Sequence, residues 1–146
     1  KNVIATVSVI LTKKFTASCP MQYRTIANLN LYDSPELARL ATQAACDRYL
    51  EIIEAEPLKV RLCEDDYPGW LNPEDLKYLE KAETPYQAPI WTEQEICDRI
   101  PEIIAFTHAA MSVPNTYLWG GTVAPNYDCS GLMQAAFASV GIRLPR

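Results

Sequence analysis

The sequence lacks several features that mark common functional classes. None of its five cysteines belongs to a CxxC pair, so a zinc site is not indicated. Lysine and arginine form no run longer than Lys13-Lys14 and the net charge is −5, so a nucleic acid partner has little electrostatic support. An acidic surface is also not drawn to an anionic membrane. We therefore expect no metal, no cofactor, no nucleic acid partner and no stable membrane insertion.

An apolar stretch at the start is too short to span a membrane. Residues 2–12 read NVIATVSVILT and are followed by Lys13-Lys14, which puts the charges on the wrong side for a signal peptide. We interpret residues 1–21 as a leader of uncertain role. A cytoplasmic location is favoured over export.

The overall composition is that of a soluble globular protein. Hydrophobic residues make up 49% and charged residues 21% of the 146 positions, a length that suits one domain or two small ones. A chain of this length does not need disulfides to fold. We therefore expect reduced thiols, with Cys46, Cys63 and Cys97 as small core hydrophobes.

Residues 22–82 have the pattern of a small β-rich unit. Alternation in residues 58–62 predicts a strand, and the turn signal at 65–69 follows it directly. Short strands joined by polar turns suggest a small barrel. Residues 36–46 remain ambiguous, because Leu37, Leu40 and Ala44 also fit a helical face.

Two helices are predicted after a proline-containing linker at residues 83–91. Thr92 and Glu95 form a capping box at the start of the first helix. Its apolar face has five members, and Pro101 either kinks or restarts it: Ile96, Ile100, Ile103, Ile104 and Thr107. The second helix begins at Asp128 or Cys129 and ends at Gly141.

Cys129 lies at the predicted start of that second helix. The free N–H groups and partial positive charge of a helix N-terminus stabilise a thiolate, which is the reactive form of cysteine. Three nearby glycines, Gly120, Gly121 and Gly131, leave room for a substrate backbone. The same N–H groups could hold an oxyanion. The residues alone fit both a nucleophile and a buried structural cysteine.

The motif around Cys129 resembles a known family. The stretch YLWGGTVAPNYDCSGL, with GIRLPR after the helix, is similar to the NlpC-type cell-wall cysteine peptidases, which have a papain-like fold. The preceding unit, with ANLNLYDSP and EDDYPGWL, resembles the bacterial SH3-like barrel that precedes this domain in cyanobacterial members. The resemblance implies an α+β protein: an SH3-like barrel at 22–82, then the N-terminal helical part of a papain-like domain at 92–146. It also implies loop and strand for residues 36–46.

The resemblance also implies an activity and a set of site residues. The family hydrolyses the γ-D-glutamyl to diamino acid bond of peptidoglycan stem peptides such as L-alanyl-γ-D-glutamyl-diaminopimelate. Cys129 matches the nucleophile, and Tyr117 matches a residue that contacts substrate or oxyanion. Asp128 and Ser130 match positions that bind the free L-alanine end, and Tyr67 helps to close that subsite. Alternatively, Tyr117 and Trp119 are core aromatics, while Asp128 and Ser130 merely cap the helix.

The chain departs from the family pattern at the catalytic base. The family uses a histidine downstream of the cysteine, whereas the only histidine here is His108, upstream of it. We therefore expect the chain to be the N-terminal part of an enzyme, inactive or impaired alone, with the missing C-terminal part of the domain as a possible partner. The alternatives are a cell-wall peptide binding module that does not cleave and a structural remnant without a ligand.

Overall fold

The computed structural model of the chain describes residues 20–146, which form a mixed α/β structure with a mostly antiparallel sheet. The strands are β1 (Gln22–Thr25), β2 (Leu29–Tyr32), β3 (Leu40–Ala44), β4 (Tyr49–Ala55), β5 (Leu58–Leu62), β6 (Pro68–Leu71) and β7 (Leu79–Lys81). They lie in one sheet in the order β3-β2-β6-β5-β4-β1-β7, with a 3₁₀ helix at Pro73–Tyr78 before β7. The predicted leader falls almost wholly outside the described residues. The SH3-like barrel stays a prediction.

Alternating burial along the strands creates the core of the sheet. In β5 the side chains of Leu58, Val60 and Leu62 are buried and the residues between them are partly exposed, which confirms the predicted strand. Successive side chains of a strand point to opposite faces, so this pattern places one face against the core. The buried cluster consists of Leu29, Leu31, Ala44, Leu50, Leu58, Val60, Leu62 and Leu71.

The helical interpretation of residues 36–46 is wrong, and the strand implied by the resemblance is confirmed. Residues 40–44 form β3, which pairs with β2 and places Ala44 opposite Leu29. Leu37 has a positive φ of 55°, a conformation that a right-handed helix does not allow. Pairing with β2 buries Thr42 and Ala44, and this tertiary gain outweighs local helix propensity.

Two helices and a short hairpin follow the sheet. Helix α1 (Glu93–Ser112) begins at the predicted capping box and continues through Pro101, so Pro101 does not restart it. Its predicted apolar face is mostly not core: only Ile103 is buried, while Ile100 and Ile104 are 37% and 49% exposed. Strands β8 (Thr122–Val123) and β9 (Asn126–Tyr127) precede helix α2 (Cys129–Ala138). Within residues 20–146, no helix has the length and apolarity needed to cross a membrane.

Candidate active site

Cys129 is the first residue of α2, as the sequence predicts. Asp128 is the N-cap, and its side chain accepts a hydrogen bond from the Gly131 N–H at 2.7 Å. The first N–H groups of a helix have no partner within the helix, so the backbone beside Cys129 offers donors. Cys129 itself is exposed. A nucleophile in this position can be reached from solvent.

The Asp128 carboxylate is buried and fully hydrogen-bonded by the chain itself. Its Oδ1 accepts from the Gly131 N–H and from Ser130 Oγ at 3.1 Å, while Oδ2 accepts from the Gly120 N–H at 2.8 Å and from the Arg146 guanidinium. Burial raises the pKa of Asp128, but the N–H groups of Gly131 and Gly120, together with Arg146, more than offset that effect, so the net pKa is lowered. Asp128 is therefore a stably ionised cap next to Cys129.

The prediction that Gly120, Gly121 and Gly131 leave room for a substrate backbone is wrong. Their missing side chains allow segments of the protein's own chain to pack closely against each other. A Cβ on Gly131 would lie 1.8 Å from the carbonyl oxygen of Gly121. Gly120 has a φ of 80°, and a Cβ there would lie 3.0 Å from both Cγ and the carbonyl oxygen of Leu40. The absent side chains let the start of α2 and the sheet approach the turn before β8.

Strand β3 holds the hairpin β8–β9 through Gln43. The Gln43 Oε1 accepts hydrogen bonds from the N–H groups of Thr122 at 3.0 Å and Val123 at 3.1 Å. The Thr122 Oγ1 donates to the Gln43 carbonyl at 2.8 Å, and the Gln43 amide donates to Asn30 Oδ1 at 2.9 Å. We call these bonds the Gln43 clamp. They fix the hairpin against the sheet, and the hairpin in turn contacts the start of α2.

A cavity of about 280 Å³ lies beside Cys129. It is lined by Ala110, Met111, Asn115, Tyr117, Tyr127, Asp128, Cys129 and Leu132. The structure thus brings Tyr117, Asp128 and Cys129 together, as the sequence predicts. Tyr117 and Trp119 are 65% and 66% exposed, so the alternative that they are core aromatics is wrong.

The other predicted residues lie at different places. Ser130 is exposed and donates to Asp128. Tyr67 packs against the core of the sheet and is not among the residues that line the Cys129 cavity. His108 is exposed on α1 and does not line that cavity either. Among residues 20–146 the structure therefore supplies no histidine base at Cys129.

Most lining residues of the cavity were not predicted from the sequence, and neither were Arg146 and Gln43, which bond to Asp128 and to the hairpin. Tyr127 lines the cavity, and burial raises the pKa of its hydroxyl. Arg146 pairs with Asp128, and Gln43 forms the clamp. Arg146 belongs to the GIRLPR stretch, which is part of the resemblance to the NlpC-type family. The residues around it in the sequence do not indicate that it forms an ion pair. As for metals, no three His, Cys, Asp or Glu side chains of the described part lie close enough together to hold an ion.

The prediction that Cys46, Cys63 and Cys97 are core residues is wrong for two of them. Cys46 and Cys97 are exposed, because they lie in a turn and on the outer face of α1, and Cys63 is half-buried. Burial is the main cause that raises the pKa of the Cys63 thiol to about 12, with Glu51 and Glu64 adding to the effect. These three thiols and that of Cys129 are free within the described chain.

These environments predict an order of alkylation. At pH 7, iodoacetamide should modify Cys129 first, because it is exposed beside the free N–H groups at the start of α2, and should modify Cys63 last, because its thiol is protonated and half-buried. The Cys63 rate should keep rising up to a pH of about 12. Peptide mapping after brief labelling measures all four rates. The exposed Cys46 and Cys97 are the controls, and labelling of Cys129 no faster than theirs would contradict the predicted order.

Comparison with known proteins agrees with this arrangement. Residues 31–76 match the model of the bacterial dipeptidyl-peptidase SH3 domain, and residues 114–146 match the model of the NlpC/P60 family. No curated protein matches the chain. The solved structures of NlpC2 and NlpC1 from Trichomonas vaginalis are each 16% identical to it over 86% of its length, with TM-scores of 0.31 and 0.32.

The chain spans 43% of the NlpC2 chain and 41% of the NlpC1 chain, which is well under half of each. The two family matches fall on different parts of the described structure, the first on strands β2 to β6 and the second on the turn, hairpin and helix around Cys129. The chain thus contains a segment like a bacterial dipeptidyl-peptidase SH3 domain, followed by a segment like the NlpC/P60 family that includes Cys129.

Proposed function

We propose that this chain supplies the nucleophile and the substrate-binding part of a cysteine peptidase that acts on peptidoglycan stem peptides. The bond cleaved is the one between γ-D-glutamate and the diamino acid, diaminopimelate. One observation carries the proposal: the exposed Cys129 begins a capped helix beside a cavity, inside the segment that matches the NlpC/P60 family. That family consists of cell-wall peptidases.

The chemistry follows from the position of Cys129. Its thiolate attacks the carbonyl carbon of the scissile amide, and the free N–H groups at the start of α2 face the charge that develops on the oxygen. The Tyr117 hydroxyl, at the edge of the same cavity, is a further donor to substrate or oxyanion. A general base must take the proton of the thiol and return it to the amine of the diamino acid, which leaves as the C–N bond breaks, and water then hydrolyses the thioester on Cys129. His108 lies away from the cavity.

The free amine of the substrate is the feature that we propose the site selects. The exposed Ser130 hydroxyl donates a hydrogen bond to Asp128 Oδ1. The ammonium group of the substrate can take the place of this hydroxyl as the donor to Oδ1, and Ser130 Oγ can then accept a hydrogen bond from the ammonium group. In the intact polymer the same nitrogen is an uncharged amide. Tyr67, on the sheet side, is proposed to close this end of the subsite. Released peptides, as in recycling of muropeptides in the cytoplasm, are therefore the preferred substrates.

A peptide electrophile tests this selection without the need for a base. L-alanyl-γ-D-glutamyl chloromethyl ketone should label Cys129 with saturation, and its N-acetylated form should label it about tenfold or more slowly, since one lost charge pair costs roughly 1.4 kcal/mol or more. Asp128→Asn should slow only the free-amine reagent. Mass spectrometry of the labelled peptide gives the rates, with iodoacetamide as the control for intrinsic reactivity. Equal rates with both reagents would rule out recognition of the amine.

The second candidate is a module that binds the peptide and does not cleave it. The exposed position of the sole histidine favours it. Covalent labelling separates the two candidates: saturable labelling of Cys129 by the peptide chloromethyl ketone supports a nucleophile placed at the scissile bond, whereas binding of L-alanyl-γ-D-glutamyl-diaminopimelate without such labelling supports the binding module. Cleavage by this chain that is lost in His108→Ala would show that our placement of His108 outside the chemistry is wrong.

A further inference from the structure

Arg146 forms a buried ion pair with the residue next to the candidate nucleophile. Its Nη2 contacts Asp128 Oδ2, and the side chains are only 10% and 5% exposed. Its Nη1 also donates to Gln134 Oε1 of α2 at 3.4 Å. Arg146 thus contacts both the N-cap of α2 and a residue in the body of the same helix.

The backbone of Arg146 also lies next to the sheet. Burial raises the pKa of the Asp65 carboxyl, which lies in the turn between β5 and β6, and the Arg146 backbone N–H is among the groups that oppose this rise. The Arg146 backbone thus lies near Asp65, while its guanidinium contacts Asp128 and Gln134.

We propose that Arg146 is a positioning residue that keeps Cys129 reactive by compensating and orienting Asp128. The proposal rests on the proposed function only in taking Cys129 as the nucleophile. A carboxylate beside a thiol disfavours the thiolate, and a cation on that carboxylate cancels the effect. With Oδ2 occupied by Arg146 and the Gly120 N–H, the charge of Asp128 is balanced, and Oδ1 caps α2.

Removal of the guanidinium should therefore act on Cys129 through Asp128. In Arg146→Met the buried carboxylate loses its counter-charge, and Cys129 alkylation by iodoacetamide at pH 7 should slow about tenfold. Arg146→Lys retains the charge and should recover most of the rate. Arg143→Met is the matched control, since Arg143 lies in the same segment and forms no ion pair within residues 20–146. Its alkylation rate should equal that of the unmodified chain.

The decisive comparison is made in the background of Asp128→Asn. Asparagine still caps a helix but carries no charge, so the double variant Asp128→Asn with Arg146→Met has no net charge beside Cys129 and should be alkylated within about twofold of the rate of the unmodified chain. Circular dichroism melts accompany each rate. A slow Arg146→Met protein whose defect persists in the Asp128→Asn background would overturn the proposal, as would a folded Arg146→Met protein that reacts at the normal rate.

Failure to fold is also informative. If Arg146→Met unfolds while the double variant folds, the stranded carboxylate is the cause of unfolding, and the proposal then requires the double variant to label Cys129 at about the normal rate; a slower rate would overturn it. If both unfold, Arg146 acts by packing and the proposal is wrong. Because alkylation needs no peptidase activity, a chain that cleaves nothing would contradict the proposed function and leave this test intact.

Discussion

Gly131→Ala should destroy the candidate site and most of the stability around it. The new methyl group would lie 1.8 Å from the Gly121 carbonyl oxygen, which is a backbone atom without freedom to rotate away. Overpacking typically costs 1–3 kcal/mol and a backbone clash costs more, so we expect a loss of about 4 kcal/mol or more in the free energy of unfolding. Urea denaturation measures the loss, and Cys129 alkylation reports the state of the helix start.

Gly141→Ala is the matched control for that substitution. Gly141 has a φ of 85° and an added Cβ would lie 3.4 Å from Trp91, so the change brings backbone strain without a severe clash. We expect it to cost about 1–2 kcal/mol and to leave the Cys129 alkylation rate unchanged. A Gly131→Ala protein as stable as the Gly141→Ala protein would contradict the close packing of α2 on Gly121.

Arg48→Met should be the second most damaging change, because it strands a buried carboxylate. The Arg48 Nε bonds Glu64 Oε1 at 2.8 Å, with side chains 11% and 2% exposed. The other oxygen, Glu64 Oε2, already has no hydrogen-bond partner within the described structure. Breaking a buried pair from one side costs about 3–5 kcal/mol, and we expect a loss of that size in thermal or urea denaturation.

Two further variants isolate the cause of that loss. Arg48→Met combined with Glu64→Gln removes the stranded charge and should recover much of the stability. Arg39→Met removes an ion pair with Asp33 in which the Arg39 side chain is 76% exposed. This change should lower the free energy of unfolding by less than about 1 kcal/mol. If Arg48→Met proved as mild as Arg39→Met, the pair with Glu64 would not matter to stability.

Strands could be predicted from the sequence where apolar and polar residues alternate clearly. They could not be predicted where small residues make the alternation ambiguous. Leu58, Val60 and Leu62 form a period of two that only a strand explains, and the structure buries all three. Residues 40–44 contain alanines and threonine that fit either period. Only their pairing with β2, a contact between distant parts of the sequence, decides for the strand.

The site divides in the same way between local and distant contacts. Asp128 and Cys129 could be predicted because capping is local chemistry within one turn of helix. Arg146 and Gln43 could not, because the first meets Asp128 across 18 positions and the second meets Thr122 across 79 positions. The predicted apolar face of α1 was wrong for the opposite reason. Helical periodicity is a local signal, but burial depends on which residues pack against the helix, and within the described residues only Ile103 of α1 is buried.

The Gln43 clamp has a consequence for the order in which a ribosome makes the chain. Strand β3 precedes the hairpin by almost eighty residues, so the sheet can fold while the later segment is still being synthesised. The hairpin then emerges onto a template that already presents the Gln43 amide. Translation from the N-terminus thus produces strand β3 before Cys129. The site around Cys129 can form only after the sheet that holds the hairpin has folded.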